Sequence, residues 1–152
     1  MVPAVQGLGR LDAELAAADA AFMSLSESER VRFQAENMFD LVDRFTRSYL
    51  WVLGAYEIVR SLDQRAHSRA VPMTRAQQEK LKETKRRFER IRMPLAKFEP
   101  ARRHQDTDNV VAFPSMHRQY GISWKLAPDT FISREELSCE FRSLLEALSE
   151  DA

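Results

Sequence analysis

The chain has 152 residues and a formal net charge of zero, with 23 basic and 23 acidic side chains. Its length fits one domain, and 44% hydrophobic with 30% charged residues excludes a low-complexity or disordered chain. The single cysteine, Cys139, excludes a disulfide within the chain and predicts a cytoplasmic location. The longest apolar-rich stretch, residues 49–59, is far shorter than the ~20 residues that cross a bilayer, so we expect no membrane contact.

The charge is distributed unevenly along the chain. Residues 69–104 carry 12 basic and 4 acidic side chains, a net charge of +8. Residues 1–59 have a net charge of −4, and residues 105–152 a net charge of −5. The basic segment can therefore be neutralised within the chain, or it can remain free for an anionic partner.

Two helices are predicted in the first part of the chain. Leucines and a phenylalanine at helical spacing predict the first over residues 8–25. Ser26 and Glu29 then form a capping-box pattern, which predicts that a second helix begins there. The sequence shows no stop for that helix until about Ser68, and Gly54 is the expected weak point if it breaks.

The middle of the second helix is apolar on nearly every face. A helix of this kind must be covered by its own chain or by a second copy. Unbroken, about 42 residues would extend about 63 Å, whereas a compact chain of this size has a radius of gyration of about 15 Å. Pairing with a second copy is therefore favoured, and the candidate interface residues are Phe45, Tyr49, Trp51 and Tyr56.

The third helix is amphipathic and strongly basic. Thr74 and Gln77 form a second capping-box pattern at its start, and Pro94 is expected to kink or end the helix near Met93. Its apolar stripe predicts one buried face. Its cations are candidates for binding an anion or a nucleic acid: Lys85, Arg86, Arg87 and Arg90. The alternative is a solvated, salt-bridged surface.

The remainder of the chain predicts a short β excursion and a last helix. Residues 110–113 and 122–126 are candidate strands of a hairpin around a turn at 114–120. Ser133 and Glu136 form a third capping-box pattern before a helix that reaches about Leu148. The expected fold is mainly α: a four-helix bundle-like single domain over residues 1–152, with one long central helix and a small β-hairpin or irregular excursion before the last helix.

Metal and cofactor motifs are missing from the sequence. His67, His104 and His117 are far apart, and Cys139 has no CxxC partner. With only 4 glycines, the chain offers no glycine-rich loop to hold a nucleotide. We therefore expect no metal and no cofactor.

Arg102, Arg103 and His104 form a candidate site directly after the third helix. Adjacent arginines can bind a phosphate or carboxylate through two donors each, and a histidine can act as an acid or base near neutral pH. Asp106 or Asp108 would orient that histidine. The alternative is that these arginines pair with acidic side chains and fix the loop to the helices.

Arg60 and His67 are separated by six residues near the end of the second helix. This spacing resembles the R-x(4–6)-H signature of HEPN domains, although Ser61 stands where that family usually has a more polar residue. The resemblance covers 8 of 152 residues. It implies a helical fold in which the arginine and histidine converge on the scissile phosphate of RNA, usually across a dimer. The alternative is an exposed pair on a helix end.

Two functions from different classes remain open. The first is a non-catalytic interaction or self-association module, whose partner is a second copy or another helical protein. The second is an RNA-binding protein, or a HEPN-like ribonuclease, that uses the basic third helix and an Arg/His site. The lack of a compact catalytic constellation favours the first, so the sequence favours a protein that is not an enzyme.

Overall fold

The computed structural model describes residues 2–68 and 70–149. Within these residues the chain forms five helices and three strands, and the prediction of a mainly helical chain is confirmed. The elements are α1 Val2–Met23, α2 Glu27–Glu36, α3 Met38–His67, α4 Arg75–Ala96, β1 Phe113–His117, β2 Gly121–Ala127, β3 Thr130–Ser133 and α5 Arg134–Ser149. The four-helix bundle arrangement is not confirmed. No helix in the described part of the chain is both long and apolar enough to cross a membrane.

The three capping boxes are present and mark helix starts as predicted. The amide of Glu29 donates to the hydroxyl of Ser26, and the Glu29 carboxylate accepts from the Ser26 amide. Thr74 and Gln77 make the same reciprocal pair at the start of α4. At α5 the Ser133 amide donates to the carboxylate of Glu136 at 2.8 Å, and the return bond measures 3.1 Å. Each pair satisfies backbone donors that a helix start leaves free.

The predicted second helix is divided in two at Asn37, and the prediction of a break at Gly54 is wrong. α2 ends because the backbone of Asn37 leaves the helical conformation, at φ −122° and ψ 40°, and the Asn37 side chain donates to the Phe33 carbonyl at this end. Gly54 lies inside α3, where a Cβ would stand 2.9 Å from a methyl carbon of Leu8. Its missing side chain therefore allows α1 to approach α3 closely, and the helix continues through it.

Pro94 lies inside α4 and does not end the helix at Met93. The helix continues to Ala96, because a proline in the last turn removes only one of its remaining hydrogen bonds. The amide of Lys97 donates to the Met93 carbonyl, and the chain then turns through Phe98 at a left-handed φ of 56°.

The β region is a three-stranded antiparallel sheet in the order β1-β2-β3. The strand predicted at 122–126 is confirmed within β2. The strand predicted at 110–113 shares only Phe113 with β1. β1 begins at Phe113 and continues through Pro114, which pairs with Trp124. The third strand, β3, was not predicted.

The core is built around α3. The Trp51 ring lies 6.1 Å from that of Phe88 in α4 and 6.2 Å from that of Phe141 in α5. Strand β2 contributes the fully buried Ile122 and Trp124. The buried face of α3 is therefore covered by the helices and the sheet of its own chain.

A buried ion network joins α1, α3 and α5. Arg134 is 2% exposed and donates to both Asp12 and Asp19, at 2.5 and 3.1 Å. Arg44 donates to the same Asp19 at 2.7 Å, and the Ser138 hydroxyl donates to Asp12. Two aspartates on α1 thus hold the start of α5 and the first part of α3.

Candidate functional site

The predicted interface residues occupy two different environments. Trp51 and Tyr56 are buried inside the chain, so the structure does not support their contact with a second copy. Phe45 and Tyr49 are half-buried. The burial of Trp51 and Tyr56 has a physical cause: an apolar helix needs cover, and here α1, α4 and α5 provide it.

An apolar surface remains on the solvent side of α3. Helical spacing places six of its residues on one face, which we call the outer stripe: Phe39, Val42, Thr46, Tyr49, Leu50 and Leu53. Phe39 is 91% exposed, and Val42 and Leu50 are each more than half exposed. The hydroxyl of Thr46 donates to the Val42 carbonyl, so its polar hydrogen is already satisfied. Of the four candidate interface residues only Tyr49 belongs to this stripe, which Phe39, Val42 and Leu50 extend at spacings of three and eight.

The outer stripe ends where the same helix face becomes charged. Glu57 and Arg60 follow on that face and pair with each other at 2.8 Å. At the other end, Met38 directly precedes Phe39 in the chain, and both Met38 and Val31 of α2 are exposed apolar residues. The stripe is therefore limited to the first half of α3 and the corner that joins it to α2.

Three of the four candidate anion-binding cations on α4 are neutralised within the chain. The pairs are Lys85 with Asp63 at 2.6 Å, Arg87 with Glu136 at 3.3 Å and Glu140 at 3.2 Å, and Arg90 with Asp108 at 2.8 Å. Their acidic partners come from α3, from α5 and from the loop after α4. The basic run read from the sequence is therefore largely an internal ion-pair layer.

These pairs shift the pKa values of several groups. Burial raises the pKa of Asp108, but the hydrogen bonds and the charge of Arg90, together with smaller contributions from Thr107 and His104, outweigh burial and lower the pKa overall. The hydrogen bond to Asp63 raises the pKa of Lys85. Burial raises the pKa of Glu140, and the charge of Arg87 opposes that rise only in part. Near neutral pH, Asp108 and Lys85 are thus held in their charged forms.

Arg86 has no ion-pair partner among the described residues, and it lies between two grooves. The α4–α5 groove, about 580 Å³, also contains His104 and Cys139. The α3–α4 groove, about 210 Å³, also contains His67 and Arg103. Members of three separate sequence predictions therefore meet at Arg86. They are Arg86 itself from the basic third helix, His67 from the HEPN-like pair, and Arg103 and His104 from the site after that helix.

Two predicted residues stand apart from these grooves. Arg60 pairs with Glu57 on the outer face of α3 and lines neither groove. Arg102 is exposed and lines neither groove as well. Of the arginine and histidine of the HEPN-like spacing, only His67 therefore lines one of these grooves. Lys82, a further cation of the basic helix, lines the α3–α4 groove and precedes Arg86 by one helical turn.

No group of three metal-ligating side chains occurs among residues 2–68 and 70–149. Cys139 is exposed, and the guanidinium of Arg142 lies 3.7 Å from its sulfur. Comparison with known proteins finds no matching family model, no matching curated protein and no matching solved structure.

Proposed function

We propose that this protein is an interaction module that self-associates through the outer stripe of α3. The observation that carries the proposal is the 91% exposure of Phe39, on the same helix face as the exposed Val42 and Leu50. Large exposed apolar side chains that share one face are typical of association surfaces.

The energetic support comes from burial of these side chains. Full burial of one valine, leucine or phenylalanine side chain stabilises by roughly 1.5–3 kcal/mol relative to exposure. The single chain gains little of this burial at Phe39 and only part of it at Val42 and Leu50, whereas the inner face of α3 is packed. A second copy that covers the stripe supplies the missing burial, minus the entropy lost on association.

The stripe can pair with itself. An antiparallel two-fold arrangement centred on Thr46 places Val42 against Leu50 of the second copy and Phe39 against Leu53. Such an interface is isologous, because the same surface serves both copies.

The test is the mass of the full chain in solution over a micromolar concentration series, measured by sedimentation equilibrium. We expect a dimer in the native chain and a monomer in Val42→Glu. Val110→Glu is the matched control, because Val42 and Val110 are 57% and 58% exposed and Val110 lies outside the stripe. Circular dichroism verifies that both variants remain helical.

Two results would contradict the proposal. One is a native chain that stays monomeric at the highest micromolar concentration. The other is equal weakening by Val42→Glu and Val110→Glu, which would show that added negative charge, rather than loss of the stripe, prevents association.

A further inference from the structure

The α3–α4 groove contains cations that the rest of the chain does not use. Lys82, Arg86 and Arg103 line it and form no ion pair within the described residues. Lys82 and Arg86 are one helical turn apart on α4, so their side chains are neighbours. Arg103 reaches the same groove from the short 3-10 turn Arg102–His104. Three uncommitted cations from two segments therefore surround one small space.

His67 adds a ring nitrogen of defined role to this groove. Its Nδ1 lies 2.7 Å from the backbone carbonyl oxygen of Asp63, which can only accept a hydrogen bond. Nδ1 therefore carries the hydrogen, and Nε2 is the nitrogen left for a ligand. The imidazole is also mostly exposed, so a ligand in the groove can reach it.

We propose that the α3–α4 groove binds a small phosphomonoester, with Lys82, Arg86 and Arg103 holding its phosphate group. Arginine guanidinium groups donate two parallel hydrogen bonds to phosphate oxygens, and lysine adds a point charge. This site is separate from the outer stripe on α3 and does not depend on self-association.

The lining of the groove favours a small ligand over RNA. Its residues include no phenylalanine, tyrosine or tryptophan and only the imidazole of His67 as a ring, whereas single-stranded nucleic acids are held by successive bases that stack on several aromatic rings. Asp63 and Glu89 also line the groove, and they would repel a continuous phosphate backbone while accepting hydrogen bonds from hydroxyl groups. Its volume of about 210 Å³ lies below the range of sites for drug-sized ligands.

The experiment is a ¹H–¹⁵N NMR titration of the full chain at constant ionic strength. The probes are inorganic phosphate, ribose 5-phosphate and oligouridylate. We expect phosphate and ribose 5-phosphate to shift the amide signals around Lys82, Arg86 and Arg103. We expect oligouridylate to show no tighter binding than ribose 5-phosphate.

Arg86→Gln should weaken ribose 5-phosphate binding about tenfold, which corresponds to ~1.4 kcal/mol of lost interaction. Arg75→Gln is the matched control, because it removes the same charge from the same helix outside the groove. It should leave the affinity unchanged, and dispersed spectra verify that both variants are folded.

Three outcomes would overturn the proposal. The first is the absence of shifts in the groove at saturating phosphate. The second is equal loss of affinity in Arg86→Gln and Arg75→Gln, which would indicate a general charge effect. The third is tight, strongly salt-dependent binding of oligouridylate along α4, which would assign the surface to RNA instead.

Discussion

Two groups of arginines in this molecule differ in how deeply their ion pairs with acidic side chains are buried. Arg44 and Arg134 are buried and share Asp19 in the network between α1, α3 and α5. Arg87 and Arg90 of α4 are partly exposed and pair with carboxylates of α5 and of the loop after α4. The second group is conspicuous in the sequence because it forms a basic run. The first group joins α3 and α5 to α1 through Asp19.

The difference follows from desolvation. An exposed ion pair is worth ~0–1 kcal/mol, because water and salt screen it. A buried charge that loses its partner costs ~3–5 kcal/mol, because no water replaces the lost bonds. The contribution of an ion pair to stability therefore depends more on how deeply the pair is buried than on how many charges lie nearby. Variants of a buried, a partly buried and an exposed pair test that conclusion.

The largest effect is expected at Asp19. Asp19→Ala leaves the guanidinium groups of Arg44 and Arg134 without this acceptor in a buried environment. We expect the free energy of unfolding to fall by ~3–5 kcal/mol, measured by urea denaturation at low protein concentration. A loss below ~1 kcal/mol would show that the network is solvated and would remove the contrast between the two groups.

An intermediate effect is expected at Asp108, whose carboxylate is buried while Arg90 is partly exposed. Asp108→Asn should lower the free energy of unfolding by ~1.5–3 kcal/mol at neutral pH. Because the folded-state pKa of Asp108 is lowered, its contribution is complete above the unfolded-state pKa of about 4 and disappears as the pH falls through the folded value.

The difference between the native chain and Asp108→Asn should therefore shrink on acidification below about pH 4. Urea denaturation at a series of pH values measures it. A difference that stays constant across that range would mean that the Asp108 charge does not contribute to stability.

The smallest effect is expected at Arg75, whose side chain is 92% exposed and pairs with Glu79. Arg75→Gln should change the free energy of unfolding by less than ~0.5 kcal/mol, and added salt should reduce that change further. Thermal unfolding at low and high salt measures it. A loss comparable to that of Asp108→Asn would contradict this dependence on burial.

Local signals in the sequence predicted the helix starts, because a capping box depends only on residues three positions apart. Ser26, Thr74 and Ser133 were identified in this way, and each one begins a helix. The break at Asn37 was missed because no glycine or proline marks it. Strand β3 was missed because four residues that pair only with β2 carry little periodicity of their own.

Tertiary contacts decided the features that the sequence left open. Whether Trp51 faces the core or a second copy depends on the positions of α4 and α5, which no local pattern contains. Likewise, one groove contains His67, Arg86 and Arg103 because the chain after α4 places Arg103 there. No local pattern in the sequence contains that path.

The buried network had a readable signal that was overlooked. Asp12 and Asp19 are spaced by seven and lie on the same face of α1 as Leu8, Leu15 and Phe22. Acidic side chains on an otherwise apolar helix face require buried partners, so this spacing predicts arginines on the elements that pack there.

α2 buries none of its residues fully, and the break at Asn37 separates it from the helical hydrogen bonds of α3. It is held by its caps, by the contact of the Phe33 ring with that of Phe22 at 5.8 Å, and by the exposed pair of Glu27 with Arg118. Segments with so little buried surface open at low free energy, well before the core unfolds. Opening α2 removes Phe33 from Phe22, so the position of this helix sets whether the buried Phe22 side chain becomes accessible.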